Sequence, residues 1–420
     1  MNNINFIYNK NNKFFIYIYV PCGGIFENEK NAGISHVLEH MVFKHSKDYS
    51  EKLMFSELTS IGSQYNASTD KDATIYHCIS HIDNYKKVVD IMGSLITSPV
   101  FDKKEFEIEK KIIIEEINNN VELRMFNNLS LSTILDPDNA YNNLVEGSDE
   151  TIKKMTIDDL KLYFRKYYKD FSIIINCDEK HKDDVKSYVY KIMGSPKQIN
   201  FEHISNVLRL NVNKSNNGIY ILDNKQKQYI TYINFIGYPH MMLRENMILN
   251  FIKYFLVSCG LNSILMHELR NKRGLVYGVN ISNEIYRYVG IFRLNLNSTN
   301  KNIKLILKVI FDVLNKLSKK GLSPELFKYY KKSYLNHMKL GFTNDKAKTE
   351  WYGKNIFYGK NISFDEFTNM INEINNEDIK TIGKQVFDLQ KSGIFLLGSY
   401  KNTNILKKTI EDTIKDYGKV

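Results

Sequence analysis

The 420-residue chain has few of the features that mark several common protein classes. Its four cysteines lie far apart and form no Cys-x-x-Cys pair, which argues against a disulfide framework or a cysteine-built metal site. No run approaches the roughly 18 consecutive apolar residues of a membrane helix, and Phe14–Val20 is short and β-like. These absences predict a soluble protein without a secretory signal, in a reducing and cytoplasmic compartment.

The overall composition is that of a globular protein. The chain is 43% hydrophobic and 25% charged, which excludes disordered and fibrous classes, and its length fits two or three units of roughly 100–200 residues. The net charge is +11, but the lysines are scattered, without an arginine-rich stripe or an aromatic RNA-binding pattern. We therefore expect no nucleic-acid partner, although the charge keeps a nucleic-acid-binding protein as one rival hypothesis.

The periodicity of the first half recurs in the second half. The first half is predicted to contain strand Phe14–Val20, helical segments Ala32–Ser46 and Lys52–Ile61, strands Gln64–Thr69 and Thr74–Ser80, helices Asn84–Thr97, Lys103–Arg124 and Ile157–Tyr168, and strand Ser172–Cys177. The second half is predicted to contain strand Tyr229–Ile236, helices Met241–Val257 and Leu261–Arg270, strands Val276–Ser282 and Gly290–Asn297, and helices Asn302–Leu317 and Glu325–Leu340. The repeat predicts two duplicated α+β domains, 1–194 and 219–420, joined by a polar linker at 195–218.

A short helical motif carries the first candidate chemistry. His36 and His40 are four residues apart and share a helix face, with Glu39 beside them. Two imidazoles suit zinc, and a carboxylate that is not a ligand can take a proton from metal-bound water. The alternative is a helix with two surface histidines.

A catalytic zinc needs a third protein ligand, and helix Lys103–Arg124 offers candidates. Glu109 and Glu116 are two turns apart and share a face of this helix. Glutamates on helices are usually solvated, so either residue is a candidate only because the histidine pair is present.

Three stretches of the first half carry a family resemblance. They read GISHVLEHMVFK over residues 33–44, IGSQYNAST over 61–69 and IIIEE over 112–116. Together they resemble the pitrilysin, insulinase and mitochondrial-processing-peptidase family of inverzincins, which has the inverted His-x-x-Glu-His motif. The resemblance implies one Zn²⁺ per chain, held by His36, His40 and Glu116, with Glu39 as the base and Glu109 as a supporting carboxylate. By the same alignment Glu115 is the less suitable ligand.

The resemblance extends to substrate-binding residues. In the second half, ELRNKRGLVY over residues 268–277 is similar to the family segment that carries an arginine and a tyrosine, here Arg270 and Tyr277. In the family this pair reaches the zinc site from the opposing half of a clamshell and can hold the substrate carbonyl and the oxyanion. Asn66 and Ala67 match the strand edge that binds substrate backbone by β-addition.

Two features depart from the family pattern. Family members commonly have a glycine where this chain has His45, and we expect His45 to be an exposed histidine unless it modifies the cleft. The usual first strand and its hairpin are expected to be condensed into Ile4–Val20.

The resemblance implies a zinc metalloendopeptidase whose two domains, each a mostly antiparallel sheet with helices packed on it, form half of a clamshell. The first domain would hold zinc and the second would carry the Arg/Tyr pair. Substrates would be unstructured peptides, or the leader or signal portions of precursors, cleaved in a closed chamber. Since relatives use four domains to close a chamber, a homodimer or a heterodimer with a related chain is expected. The main alternative is a non-catalytic peptide-binding or scaffold subunit of a complex of the same family.

Overall fold

A computed structural model describes residues 4–119, 126, 129–196, 199, 218–223, 229–298, 302–400 and 402–417. Ten strands are present in these ranges: β1 Ile4–Asn9, β2 Lys13–Val20, β3 Gln64–Thr69, β4 Thr74–His81, β5 Ser172–Asp178, β6 Ile219–Asp223, β7 Tyr229–Gly237, β8 Gly278–Ile285, β9 Gly290–Ser298 and β10 Gly393–Gly398. The predicted linker at 195–218 lies mostly outside the described residues, and the sequential division into 1–194 and 219–420 stays a prediction.

The α-helices of the described ranges stand singly or in groups between these strands, and one follows the last strand. They are α1 Ile34–Val42, α2 Glu51–Ser60, α3 Tyr85–Thr97, α4 Lys103–Asn119, α5 Asp149–Lys154, α6 Ile157–Tyr167, α7 Lys182–Met193, α8 Leu243–Lys253, α9 Ile303–Lys320, α10 Pro324–Gly341, α11 Asp345–Phe357, α12 Phe364–Glu373, α13 Asn376–Val386 and α14 Thr403–Tyr417. Among the residues that the structure describes, no helix combines the length and apolar character required to cross a membrane.

The strands of the described chain form two five-stranded sheets with one topology. The order is β1-β5-β2-β4-β3 in the first sheet and β6-β10-β7-β9-β8 in the second. In each sheet one neighbouring pair is parallel, β1 with β5 and β6 with β10, and the other pairs are antiparallel. The predicted α+β fold, with two duplicated and mostly antiparallel sheets, is confirmed.

Strand β2 is buried on both faces, which explains why it reads as a continuous apolar run. Residues of β2 alternate between the two faces. Phe14, Ile16, Ile18 and Val20 pack into the main core with helices that include α1 and α3. Phe15, Tyr17 and Tyr19 face the other way and pack with residues of α11.

Each compact unit includes a segment from the other sequential half. The first unit comprises 1–121, 143–209 and 341–361, and the second comprises 122–142, 210–340 and 362–420. In the first unit, Asn176 Nδ2 of β5 donates to Thr349 Oγ1 of α11 at 2.7 Å. In the second, Asn234 Nδ2 of β7 donates to the carbonyl of Ser130 at 2.8 Å. Each of these two segments therefore contacts the sheet of the unit to which it belongs.

Several sequence-based predictions of secondary structure were incomplete. The expected condensed N-terminus corresponds to two short strands within Ile4–Val20, β1 and β2, and β1 pairs with β5, a partner that local sequence does not reveal. Helix α1 is shorter than the helical spacing of Ala32–Ser46. Helix Leu261–Arg270 is irregular, with a 3-10 turn at Gly260–Asn262 followed by a π-helical turn at Met266–Asn271. Residues 120–124 of the helix predicted from Lys103 lie outside the described ranges.

Candidate metal centre

Helix α1 positions the histidine motif, and a glycine and a buried carboxylate define where this helix begins. Gly33 has a φ of 93°, a left-handed conformation that suits glycine, and its backbone N–H donates to Glu27 Oε2 at 2.7 Å. The N–H of Ser35 donates to Glu27 Oε1 at 2.8 Å. Burial raises the pKa of Glu27 to about 7, although these hydrogen bonds oppose the shift. The helix then buries Val37 and Leu38 completely, which leaves the motif side chains on its other face.

Two histidines of α1 and one glutamate of α4 form a compact cluster. The Nε2 atoms of His36 and His40 are 3.3 Å apart. Glu116 Oε2 lies 4.0 Å from Nε2 of His36 and 3.9 Å from Nε2 of His40. The structure therefore brings together the three residues that the sequence predicts as ligands, and Glu116 rather than Glu115 supplies the carboxylate of this cluster.

The donor set and spacing of this cluster fit a zinc ion. Ligand atoms at about 2.0 Å from a tetrahedral zinc are separated from one another by roughly 3.3 Å. The two imidazole nitrogens already have that separation, and the Glu116 side chain, which is 51% exposed, has room to approach them. Two imidazoles and one carboxylate also leave a fourth position open, as in catalytic zinc sites.

A buried glutamate links the second histidine to a lysine. Glu109 is 3% exposed, and its Oε2 lies 3.0 Å from Nδ1 of His40. Its Oε1 is 2.7 Å from Nζ of Lys44, which also donates to Glu51 Oε1 at 2.7 Å. Because Nδ1 of His40 donates to Glu109, the lone pair of Nε2 is free to bind a metal.

The hydrogen bonds that join His40, Glu109 and Lys44 shift the pKa values of all three groups. Burial favours a higher pKa for Glu109, but hydrogen bonds from His40 and Lys44 outweigh it, so the pKa is lowered. Burial favours a lower pKa for His40, but Glu109, Glu116 and Glu39 outweigh it, so the pKa is raised. The pKa of Lys44 is also raised, because Glu109 and Glu51 outweigh burial. Glu109 is therefore a carboxylate held between two cationic or proton-donating groups.

The candidate base Glu39 is held by a residue of the neighbouring strand. Thr69 Oγ1, at the end of β3, donates to Glu39 Oε2 at 2.5 Å. Burial raises the pKa of Glu39, and the Thr69 hydroxyl partly offsets that rise. A partly desolvated carboxylate beside the cluster of His36, His40 and Glu116 is suited to accept and return a proton.

The predicted substrate-binding residues lie in two places. Asn66 and Ala67 are in β3, the edge strand of the first sheet, where they pair with His77 and Tyr76 of β4. Within the described chain the other edge of β3 has no strand partner, so its backbone can accept an added strand.

Arg270 and Tyr277 belong to the second unit, and the structure brings them together. The guanidinium carbon of Arg270 lies 5.4 Å from the ring centre of Tyr277. The Tyr277 side chain is 84% exposed. The pair is therefore accessible to a ligand that approaches this unit.

His45 lies outside the cluster of His36, His40 and Glu116. Its Nδ1 lies 3.5 Å from Glu105 Oε1, and its backbone forms a β-bridge with Ser50. The side chain is 41% exposed, in agreement with the expectation of an exposed histidine.

Sequence reasoning missed three residues that support the cluster. Lys44 and Thr69 lie within the matching stretches 33–44 and 61–69, so their place in the motif was a usable signal. Glu27 lies outside these stretches, and its role depends on a backbone conformation that sequence pattern does not reveal.

Comparison with known families assigns both halves of the chain. A family model described as insulinase (peptidase family M16) matches residues 6–141, and one described as the peptidase M16 inactive domain matches residues 154–334. The chain belongs to the M16 peptidase family. All three residues of the metal cluster lie in the first match, whereas Arg270 and Tyr277 lie in the second.

Individual M16 relatives agree with this assignment. A protein of Rickettsia felis named as an uncharacterized zinc protease is 26% identical over 381 residues, which cover 89% of each chain. The β subunit of the mitochondrial processing peptidase of Saccharomyces cerevisiae is 32% identical over 181 residues, 42% of this chain and 39% of its own length. The solved structure of a protease from Helicobacter pylori has a TM-score of 0.84 at 17% identity and covers 94% of this chain and 96% of its own, which supports the shared fold.

Proposed function

We propose that this chain is a zinc-dependent endopeptidase, with one Zn²⁺ per chain held by His36, His40 and Glu116. The observation that carries the proposal is the cluster of two imidazoles and one carboxylate beside the partly buried carboxylate of Glu39, which is not part of the cluster. The relatives named as zinc proteases support the same metal and the same reaction class.

The residues of the first unit have complementary roles in hydrolysis. When bound, a catalytic zinc polarises the peptide carbonyl and makes the attacking water more acidic. Glu39 accepts a proton from the attacking water and later returns it to the leaving amine. Glu109 fixes the orientation and tautomer of His40.

The second unit supplies candidate groups for the oxyanion. Arg270 and Tyr277 offer a guanidinium and a phenol, which can donate hydrogen bonds to the oxygen on which charge develops. Their part in the reaction is supported by the resemblance of the segment 268–277 to the family.

We infer that the substrates are unstructured peptides, including the leader or signal portions of precursors. The free edge of β3, with Asn66 and Ala67, binds an extended backbone with little demand on side chains. A folded domain has few extended segments to offer to such an edge, so cleavage inside a closed chamber would favour flexible chains.

We infer further that the chain acts as a dimer, with itself or with a related chain. The yeast relative is named as the β subunit of a processing peptidase, which supports assembly with a second chain. A molecular mass measurement in solution distinguishes a dimer from a monomer.

Cleavage of a quenched fluorescent peptide by the zinc-loaded protein tests the proposed reaction. Glu39→Gln keeps the shape of the side chain and removes the base, so we expect it to retain zinc and to lose at least a hundredfold in kcat. Glu29→Gln, at an exposed position, is the matched control and should remain active. Full turnover by Glu39→Gln would contradict the proposed base, and a zinc-loaded wild type that binds peptides without cleaving them would favour the non-catalytic subunit.

A further inference from the structure

The strand that offers its edge to substrate also contacts the candidate base. Thr69 ends β3 three residues after Asn66, and its hydroxyl donates to Glu39 Oε2 at 2.5 Å. Within the described residues this is the only hydrogen bond to the Glu39 carboxylate. The orientation of Glu39 therefore depends on β3 as well as on its own helix.

The contacts of the Thr69 hydroxyl indicate which atom accepts its proton. Thr74 Oγ1 is 3.5 Å from Thr69 Oγ1, at the outer limit of a hydrogen bond, and Thr74 donates its own proton to the carbonyl of Cys22 at 2.9 Å. A hydroxyl has one proton to donate, so the short contact with Glu39 takes the proton of Thr69.

We propose that Thr69 is a positioning residue for Glu39: its hydroxyl fixes one carboxylate oxygen and leaves Oε1 free to face the attacking water. This inference rests on the proposed peptidase function and links the substrate-binding strand β3 to the base Glu39. Because Asn66, Ala67 and Thr69 share one short strand, a peptide that pairs with the edge of β3 also stabilises the strand that orients the base.

The same strand supplies a matched control for this role. Residues of a strand alternate between its faces, and Ser68 is exposed whereas Thr69 is partly buried. Ser68→Ala removes a hydroxyl from the same strand without touching Glu39. A general effect of removing a hydroxyl from β3 would appear in both variants, and a positioning effect would appear only at Thr69.

The kinetic test compares zinc-loaded wild type with Thr69→Val, Thr69→Ser and Ser68→Ala on a flexible fluorescent peptide. Removing a hydrogen bond to a charged group should lower kcat of Thr69→Val by about ten- to a hundredfold, with KM within about twofold. Zinc content should stay unchanged. Thr69→Ser should recover most of the activity, and Ser68→Ala should resemble wild type. A wild-type kcat in Thr69→Val, or a higher KM with an unchanged kcat, would overturn the proposal.

If Thr69→Val does not fold, Thr69→Ala against Thr69→Ser makes the same comparison, and equal losses in these two variants would overturn the proposal. A second readout does not depend on catalysis. In the metal-free protein, urea unfolding of Thr69→Val, Glu39→Ala and the double variant should be non-additive, with the pair costing less than the two single losses together. Additive losses would show that the two side chains are not coupled. If the wild type cleaves no peptide, the proposed function fails, while this cycle still tests the contact.

Discussion

At the scale of single residues, the candidate centre depends on the buried carboxylate of Glu109 and its two partners. Glu109 is almost completely buried and bonds to His40 on one oxygen and to Lys44 on the other. A buried carboxylate that loses a cationic partner is destabilised, so it tends to reorient or to take up a proton. The strength of metal binding should therefore depend on Lys44, which does not belong to the metal cluster.

Replacing Lys44 by Met tests this dependence. We expect the dissociation constant for zinc to rise by about 10- to 100-fold, because Glu109 is then free to reorient and to release His40. Lys47→Met, at an exposed position on the following turn, is the control and should bind zinc as the wild type does. Competition with a chromogenic chelator measures both constants. Equal affinity in the two variants would show that Lys44 does not support the site.

The carboxylate of Glu27 gives a pH-dependent prediction. Its pKa is about 7 in the folded protein against an ordinary value of 4.5, so the folded state holds a proton that the unfolded chain releases between these values. This group therefore lowers the free energy of unfolding as pH rises from about 4.5 to 7. Glu27→Gln removes that titration, and its stability relative to wild type should improve as pH rises through this interval.

Urea unfolding at a series of pH values from about 5 to 8 measures this difference. Glu29→Gln, on the same loop but exposed, is the matched control. A pH dependence of Glu27→Gln that equals that of Glu29→Gln would contradict a raised pKa at Glu27.

At the scale of elements, α11 covers a face of the first sheet, and its close approach depends on a glycine. A Cβ atom at Gly353 would lie 2.9 Å from Cε2 of Tyr19, a side chain that is only 3% exposed. The Tyr17 hydroxyl of the same strand donates to Glu350 Oε1 at 3.2 Å. The helix is thus fitted to the aromatic side chains of β2.

Gly353→Ala should destabilise the protein although alanine is the better helix former. Overpacking typically costs about 1–3 kcal/mol, which exceeds the roughly 1 kcal/mol by which a helix favours Ala over Gly. Gly341→Ala, at the end of α10, meets no atom within 4 Å and should be neutral or slightly stabilising. Urea unfolding of both variants measures the contrast. Equal stability would mean that α11 does not pack closely on β2.

Strands and helices were predictable where the alternation of polar and apolar residues within the segment itself indicates them. The hairpin strand Gln64–Thr69 was predicted with its correct bounds because polar and apolar positions alternate up to a turn at Asp70. Strands β6 and β10 were missed, since each is short and its partners are distant in sequence. The packing of α11 on the first sheet was also out of reach, because periodicity shows that a helix has an apolar face but not which surface covers it.

At the scale of the whole molecule, the sequence predicted both the fold class and three residues that lie close together in the structure. The His-x-x-Glu-His spacing on α1 and the resemblance that points to Glu116 predicted these three residues as ligands, and the structure places their side chains together. Lys44 and Thr69 lie within stretches that carry the resemblance, but a sequence pattern does not show which distant side chains they contact. Glu27 was not predicted because it acts on backbone groups.

We propose that this duplicated fold presents one zinc site per chain at which peptides are hydrolysed. Stepwise addition of zinc to the metal-free protein, with peptide cleavage followed at each step, tests this proposal. We predict no cleavage without metal, a linear rise with added zinc and a plateau at about one ion per chain, since the cluster offers three ligands and one open position. Full cleavage by the metal-free protein, or no cleavage at one equivalent of bound zinc, would contradict a single catalytic zinc site per chain.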